Sequence, residues 1–102
     1  MLNQVVLVGR VAKIPNIIEE NNKRILELTI SVQRNYKNEN GIYETDFINC
    51  IIYDEMARNT KEFTKIGDII GIKGRVQNIN NIPNIIADKI TFLKAHNEND
   101  ED

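Results

Sequence analysis

The chain is 102 residues long, with 13 Lys and Arg against 15 Asp and Glu, a formal charge of −2, 41% hydrophobic residues and one cysteine. Those figures describe one soluble globular domain and not a disordered chain, and the lone Cys50 excludes an internal disulfide framework and a cysteine-based zinc site. No apolar stretch reaches the roughly 18 residues that span a membrane, and residues 1–5 lack the basic and apolar regions of a secretory leader, so the expected location is cytoplasmic.

Most of the chain alternates with period two, the mark of half-buried strands. Residues 3–12 put Val5, Leu7, Gly9 and Val11 on one face and Gln4, Val6, Val8 and Arg10 on the other. Residues 24–34 set Leu26, Leu28, Ile30 and Val32 against Glu27, Thr29, Ser31 and Gln33. The pair Asn40-Gly41 tolerates positive φ and predicts a hairpin turn. Residues 44–53 then oppose Ile48, Cys50 and Ile52 to Phe47, Asn49, Ile51 and Tyr53. Met56, Thr60, Phe63 and Ile66 fall near helical spacing, which predicts a helix over 54–66 with Asp54 as N-cap and Gly67 at C′. Residues 68–76 alternate again, with Lys73 and Arg75 on the polar face, and residues 85–93 form a fifth β-branched run. A short connection over 77–84 holds Pro83.

Five strands with one helix between the third and fourth is the order of the OB-fold, a five-stranded Greek-key barrel that often binds oligonucleotides through its second and third strands. Another small barrel or a swapped hairpin would give similar strands. The expected domain is 1–95. Residues 96–102 form an acidic tail: they hold four acids and no Lys or Arg, which leaves a body of 13 basic and 11 acidic residues, net +2. The overall negative charge is therefore no objection to a nucleic-acid partner. The tail, with Glu98, Asp100, Glu101 and Asp102, reads either as a disordered solubilising end or as a partner-binding segment.

Phe47 and Tyr53 share the face of the third strand that the core does not need. Exposed rings are stacking platforms for unpaired bases, and Asn49 between them can hydrogen-bond a base or a phosphate. Tyr36 and Lys37 open the hairpin loop beside this face, Arg10 and Arg34 lie on neighbouring strands, and Lys73 and Arg75 share a face of the fourth. Together these nine residues make a candidate single-strand DNA-binding surface. The same rings would equally serve packing under the helix or in a subunit interface, and the two charges an ordinary solvated face. Tyr43 and Phe92 read as structural, and Cys50 as an inert buried thiol. No phosphate loop, paired acid site, nucleophile motif or metal-ligand spacing is present, so neither an enzyme nor a cofactor is expected.

Four segments in order resemble the bacterial single-stranded DNA-binding proteins, the SSB family. They are Leu2-Asn3-Gln4-Val5-Val6-Leu7-Val8-Gly9-Arg10, Thr45-Asp46-Phe47-Ile48-Asn49-Cys50-Ile51-Ile52-Tyr53, Lys65-Ile66-Gly67-Asp68-Ile69-Ile70-Gly71-Ile72-Lys73-Gly74-Arg75-Val76, and Ile86-Ala87-Asp88-Lys89-Ile90-Thr91-Phe92-Leu93. The resemblance implies an OB-fold that binds single-stranded DNA with little sequence preference and protects it in replication, recombination and repair. It implies stacking on Tyr36, Phe47 and Tyr53, and a nucleoid-associated homo-oligomer, a tetramer first and a dimer second, assembled partly through the first strand. It also implies recruitment of replication or repair proteins through the tail. The chain departs from the pattern in its short 77–84 connection without an aromatic, in Glu55 where a basic residue is usual, in the lack of an Arg-Tyr pair over 13–22, and in a tail without an apolar tip. These departures predict weaker or shorter-footprint binding. The alternatives are a primosome-type replication accessory factor of the same fold and an OB-fold interaction or oligomerisation module that binds no DNA.

Overall fold

The computed structural model describes residues 1–94; the tail residues His96, Glu98, Asp100, Glu101 and Asp102 lie outside them. The elements are β1 (Val5–Lys13), β2 (Ile18–Glu20), β3 (Lys23–Lys37), β4 (Tyr43–Tyr53), α1 (Asp54–Phe63), β5 (Ile69–Ile79) and β6 (Ile82–Lys94). The strand order is β1-β5-β6-β4-β3-β2, and an additional β1–β3 pairing closes β1, β5, β6, β4 and β3 into a five-stranded barrel. All of these ladders are antiparallel except β4–β6, which runs parallel at Cys50↔Ile85 and Ile51↔Ile86. This barrel, with one helix between β4 and β5, is the OB-fold.

Alternation decides what fills it. Leu26, Leu28 and Ile30 of β3, Cys50 and Ile52 of β4, Ile70 and Ile72 of β5, and Val11 of β1 are buried together, and α1 adds Ala57. Each large apolar side chain so buried contributes about 1.5–3 kcal/mol. A one-residue slip of β3 would turn all three of its core residues outward, so burial pins the register that also sets the outer face. Gly74 faces inward where β5 meets β6; a Cβ there would lie 2.0 Å from the backbone oxygen of Ile86, so only glycine admits this strand approach.

The structure corrects the sequence reading at three places. First, β2 is an additional strand, joined to β3 by a two-residue turn in which Asn21 and Asn22 have φ of 53° and 64°. Second, the 77–84 connection is strand on both sides. Asn80 and Asn81, at φ 54° and 66°, turn β5 into β6 with Ile79 opposite Ile82. Positive φ at both central residues is the type I′ pattern, which asparagine can adopt in place of glycine. Pro83 is accommodated because β4 pairs with β6 only at Ile85 and Ile86, so one side of β6 at Pro83 has no ladder to break. Third, α1 ends at Phe63 with Thr64 extended, and its N-cap is Tyr53 with no side-chain cap. Asp54 instead accepts a hydrogen bond at Oδ1 from the Arg24 backbone N–H at 3.4 Å. Gly67, at φ 98°, donates its N–H to the Val11 oxygen at 2.8 Å and so fastens the turn before β5 to β1. Phe63 and Ile66 keep helical spacing in the sequence, but both are exposed, so no apolar burial draws the helix on past Phe63. The Asn40-Gly41 turn does form. Asn38 N–H bonds to Ile42 O at 2.8 Å, and of the pair only Gly41 takes positive φ.

Candidate nucleic-acid interface

Period two places Tyr43, Thr45, Phe47, Asn49, Ile51 and Tyr53 on the outer face of β4, where Ile51 alone is buried. Across the β3 ladder Ser31 stands opposite Phe47, Thr29 opposite Asn49, Glu27 opposite Ile51 and Ile25 opposite Tyr53. The closing β1–β3 pairing then sets Arg10 beside Ser31 and Lys13 beside Thr29. Two transverse rows result, Arg10–Ser31–Phe47 and Lys13–Thr29–Asn49. Ser31 and Thr29 are short and cover little, so Phe47 stays 69% exposed. One exposed ring is unremarkable, but this face carries several. Tyr43 is 46% exposed on it, and Tyr36, 59% exposed, lies in the hairpin beside Arg34. Tyr53 is half-buried with Lys23 Nζ 5.4 Å from its ring centroid, and Lys37 Nζ lies 5.6 Å from that of Tyr43. Both distances are within cation–π range. Thr29 Oγ1 donates to Asn49 Oδ1 at 2.7 Å, which fixes the amide between the two rings.

The structure therefore brings Arg10, Phe47, Asn49 and Tyr53 onto one surface, with Lys37 at its hairpin end, whereas Tyr36 shares the parity of Arg34 in the shifted stretch of β3. It does not bring Arg34 there. Between Gln33↔Thr45 and Lys37↔Tyr43 the register shifts, so residues 34–36 of β3 stand against Glu44 alone. Arg34 turns to the opposite face of the hairpin. Its Nε and Nη2 donate to Asp46 Oδ2 and Oδ1 at 3.0 and 2.9 Å, and Nη1 to Glu44 Oε1 at 2.8 Å. Hydrogen bonds from Arg34 hold the Asp46 carboxyl below the usual carboxylate range, and Asp46 in turn raises the guanidinium further above neutrality. Arg75 is likewise paired, with Asp88. It begins a row through Ile86 and Ile51 to Glu27. Lys73 lies between Val6 and Lys89 on the outer face of β5, one strand removed from β4. Cys50 is fully buried, and burial pushes its thiol up to about 11.

Sequence reasoning missed Lys13, Lys23 and Tyr43. Tyr43 has the same parity as Phe47 and Tyr53, which was available signal. Lys13 and Lys23 lie one residue outside the strand limits read from alternation, because polar ends carry no periodicity. Among the described residues no group of His, Cys, Asp or Glu is arranged to hold a metal ion, and no helix is long and apolar enough to cross a membrane.

Comparison with known proteins supplies the family. Residues 2–93 match the single-strand binding protein family. Single-stranded DNA-binding protein 2 of Listeria monocytogenes is 36% identical over 111 residues, covering 99% of this chain and 69% of that protein. Single-stranded DNA-binding protein 1 of Lactococcus lactis is 36% identical, covering 94% and 71%. The Staphylococcus aureus single-stranded DNA-binding protein 1 is 33% identical, covering 98% and 70%. With a match that runs through every element of the barrel, the chain belongs to the single-strand binding protein family, whose members are binding proteins and not enzymes.

Proposed function

We propose that this protein coats single-stranded DNA with little dependence on sequence and protects it during replication, recombination and repair. The observation that carries this reading is the stripe of rings on the outer face of β4. Phe47 and Tyr53 are six residues apart on one strand, about 20 Å at 3.4 Å per residue, so they meet different bases. Tyr36 and Tyr43 extend the stacking surface toward the hairpin. Every base has a π-face, which makes such a surface tolerant of sequence. Arg10, Lys13, Lys23 and Lys37 flank the rings and meet phosphates, and Asn49 meets a base edge or a phosphate between them. Lys73 and Arg75 lie beyond these four, one strand removed and paired with Asp88 respectively, and serve only a strand that continues around the barrel, whereas Arg34 braces the hairpin.

The protein also self-associates in this reading. Val6 and Val8, 67% and 54% exposed on β1, give it an apolar outer face for a second copy, in a tetramer or a dimer. Residues 96–102 form an acidic tail beyond the 1–95 domain and recruit replication or repair proteins, and the assembly works in the cytoplasm on nucleoid DNA. The test is a titration of oligo-dT followed by tyrosine fluorescence at low and high salt. Binding that weakens with salt and with Phe47→Ala or Tyr53→Ala supports the proposal. Base–aromatic stacking on OB-folds, this family included, is worth about 1–3 kcal/mol per base, so each substitution is expected to weaken binding about 5- to 150-fold. No binding at low salt, or tighter binding of duplex, would overturn it.

A further inference from the structure

Beyond Ser31 and Phe47 the β3–β4 ladder leaves the barrel as a two-stranded arm. The β1–β3 pairing ends at Arg10↔Ser31, and β4 meets β6 only at Cys50 and Ile51. None of residues 33–47 is buried, so no core holds the arm in one pose, and an isolated hairpin is at best marginally stable in water. The ladder inside the arm is also broken. Between Gln33↔Thr45 and Lys37↔Tyr43 the register shifts, which leaves residues 34–36 without partners in register. The tip is ordered by its own turn: Asn38 Oδ1 accepts the Asn40 and Ile42 N–H groups at 2.8 and 3.0 Å, and the Gly41 N–H donates to Asn38 O at 3.0 Å. Across the break itself runs the Arg34 side chain, with two nitrogens on Asp46 and the third on Glu44. An exposed ion pair usually contributes little, but a bidentate fork joined to a second carboxylate is the exception, because its planar geometry is fixed in advance.

We infer that Arg34 is a positioning residue for strand binding: its three-bond fork splints the break in the β3–β4 ladder and holds the arm ready before DNA arrives. The inference rests on the single-strand reading above and gives a role in it to a cation that meets no phosphate. What the splint positions lies beyond the break. Lys37 and Tyr43 stand opposite each other there, with the Lys37 ammonium 5.6 Å from the Tyr43 ring centroid. In a loose arm both side chains and their backbone are ordered only as the strand binds, and that cost is subtracted from affinity. In a splinted arm folding has already met it. Lysine cannot replace the fork, because an ammonium is a point charge and does not match two carboxylates with planar, bidentate geometry. The bound complex is the same with or without the splint, since DNA then orders the arm. The number of phosphate contacts, and with it the salt slope, therefore does not depend on Arg34.

The experiment compares the full chain with two variants that leave net charge unchanged, Arg34→Lys and the double variant Arg34→Gln, Asp46→Asn. Affinity for labelled oligo-dT is measured by fluorescence anisotropy over a salt series, and amide hydrogen exchange is followed over residues 35–43, free and bound. Both variants are expected to bind about three- to tenfold more weakly, by the same factor at every salt concentration. Exchange over the arm should rise in the free variants and return toward the parent's in the complex. The strands around Leu28 and Ile52, both fully buried, should keep the parent's protection, whereas a general loss of stability would raise exchange there too. Parental affinity in either variant, or arm exchange that does not change, overturns the inference and leaves single-strand binding intact. A flatter salt slope in the double variant also overturns it, because Arg34 would then meet phosphate itself. If the parent protein binds no strand at all, the single-strand reading falls and this inference falls with it.

Discussion

Salt dependence distinguishes the cations that meet the strand from those that only hold the fold. Each phosphate neutralised on a single strand adds about 0.7 to the slope of log affinity against log salt. On the face that carries Phe47 and Tyr53, four cations have no carboxylate partner among the described residues: Arg10, Lys13, Lys23 and Lys37. Four contacts give a slope of about −3, and affinity for oligo-dT should fall about 50-fold between 50 and 200 mM salt. Anisotropy titrations over a series of NaCl concentrations measure it. Lys13→Gln and Lys23→Gln should each flatten the slope by about 0.7. The double variant Arg34→Gln, Asp46→Asn, which removes the hairpin ion pair without changing net charge, should leave the slope as it was. Three nitrogens of Arg34 are already committed to Asp46 and Glu44, so its charge is compensated before any DNA arrives. If the double variant flattens the slope and Lys13→Gln does not, the strand runs over the opposite face of the hairpin and the placement of the interface is wrong.

Two further outcomes follow from titratable groups. Burial pushes the Cys50 thiol up to about 11, so at pH 8 it stays protonated and shielded, and a thiol reagent should react with it only as the protein unfolds. Rapid labelling of the native protein would show that the β3–β4 ladder opens freely. Asp46 is held below the normal carboxylate value by hydrogen bonds from Arg34. Its contribution to stability is complete above the unfolded value of about 3.9 and is lost as pH falls through the lower folded one. Urea midpoints measured below about pH 4 should therefore fall less steeply in Asp46→Asn than in the parent protein.

The barrel was legible because its strands advertise themselves. Leu26, Leu28 and Ile30, or Ile48, Cys50 and Ile52, alternate with polar residues, and burial enforces the same period. What was not legible depended on turn chemistry and on the absence of burial. Asn21-Asn22 and Asn80-Asn81 act as glycine-like turns, although asparagine-rich stretches look like loops in a chain this rich in asparagine. Phe63 and Ile66 continue a helical pattern that nothing buries. For the site, parity alone assigned Phe47, Asn49 and Tyr53 to one face. Arg34 was misleading because its position after a register shift, and the identity of Asp46 and Glu44 as its partners, are properties of strand pairing. No single-strand pattern contains them.

Barrel closure and assembly of the interface are one event, and Gly9 makes that testable. Arg10 and Lys13 join the rings only through the β1–β3 ladder, which is short and already irregular between Val11 and Lys13. A Cβ on Gly9 would lie 2.5 Å from the Ser31 backbone oxygen and 3.0 Å from Val32 Cγ2. The first of these atoms is main chain and yields only if the strands part, so Gly9→Ala should push β1 away from β3. That displacement carries Arg10 off Ser31 and Lys13 off Thr29 while the rings on β4 stay where they are. The expected result is a salt slope flatter by about 1.4, the loss of two phosphate contacts, in a variant with no charge removed. Overpacking of this kind typically costs about 1–3 kcal/mol of stability as well, but loss of folded protein lowers the active fraction at all salt concentrations and leaves the slope alone. A Gly9→Ala protein that is destabilised yet keeps the parent slope would show that β1 contributes to the fold and not to the strand-binding surface.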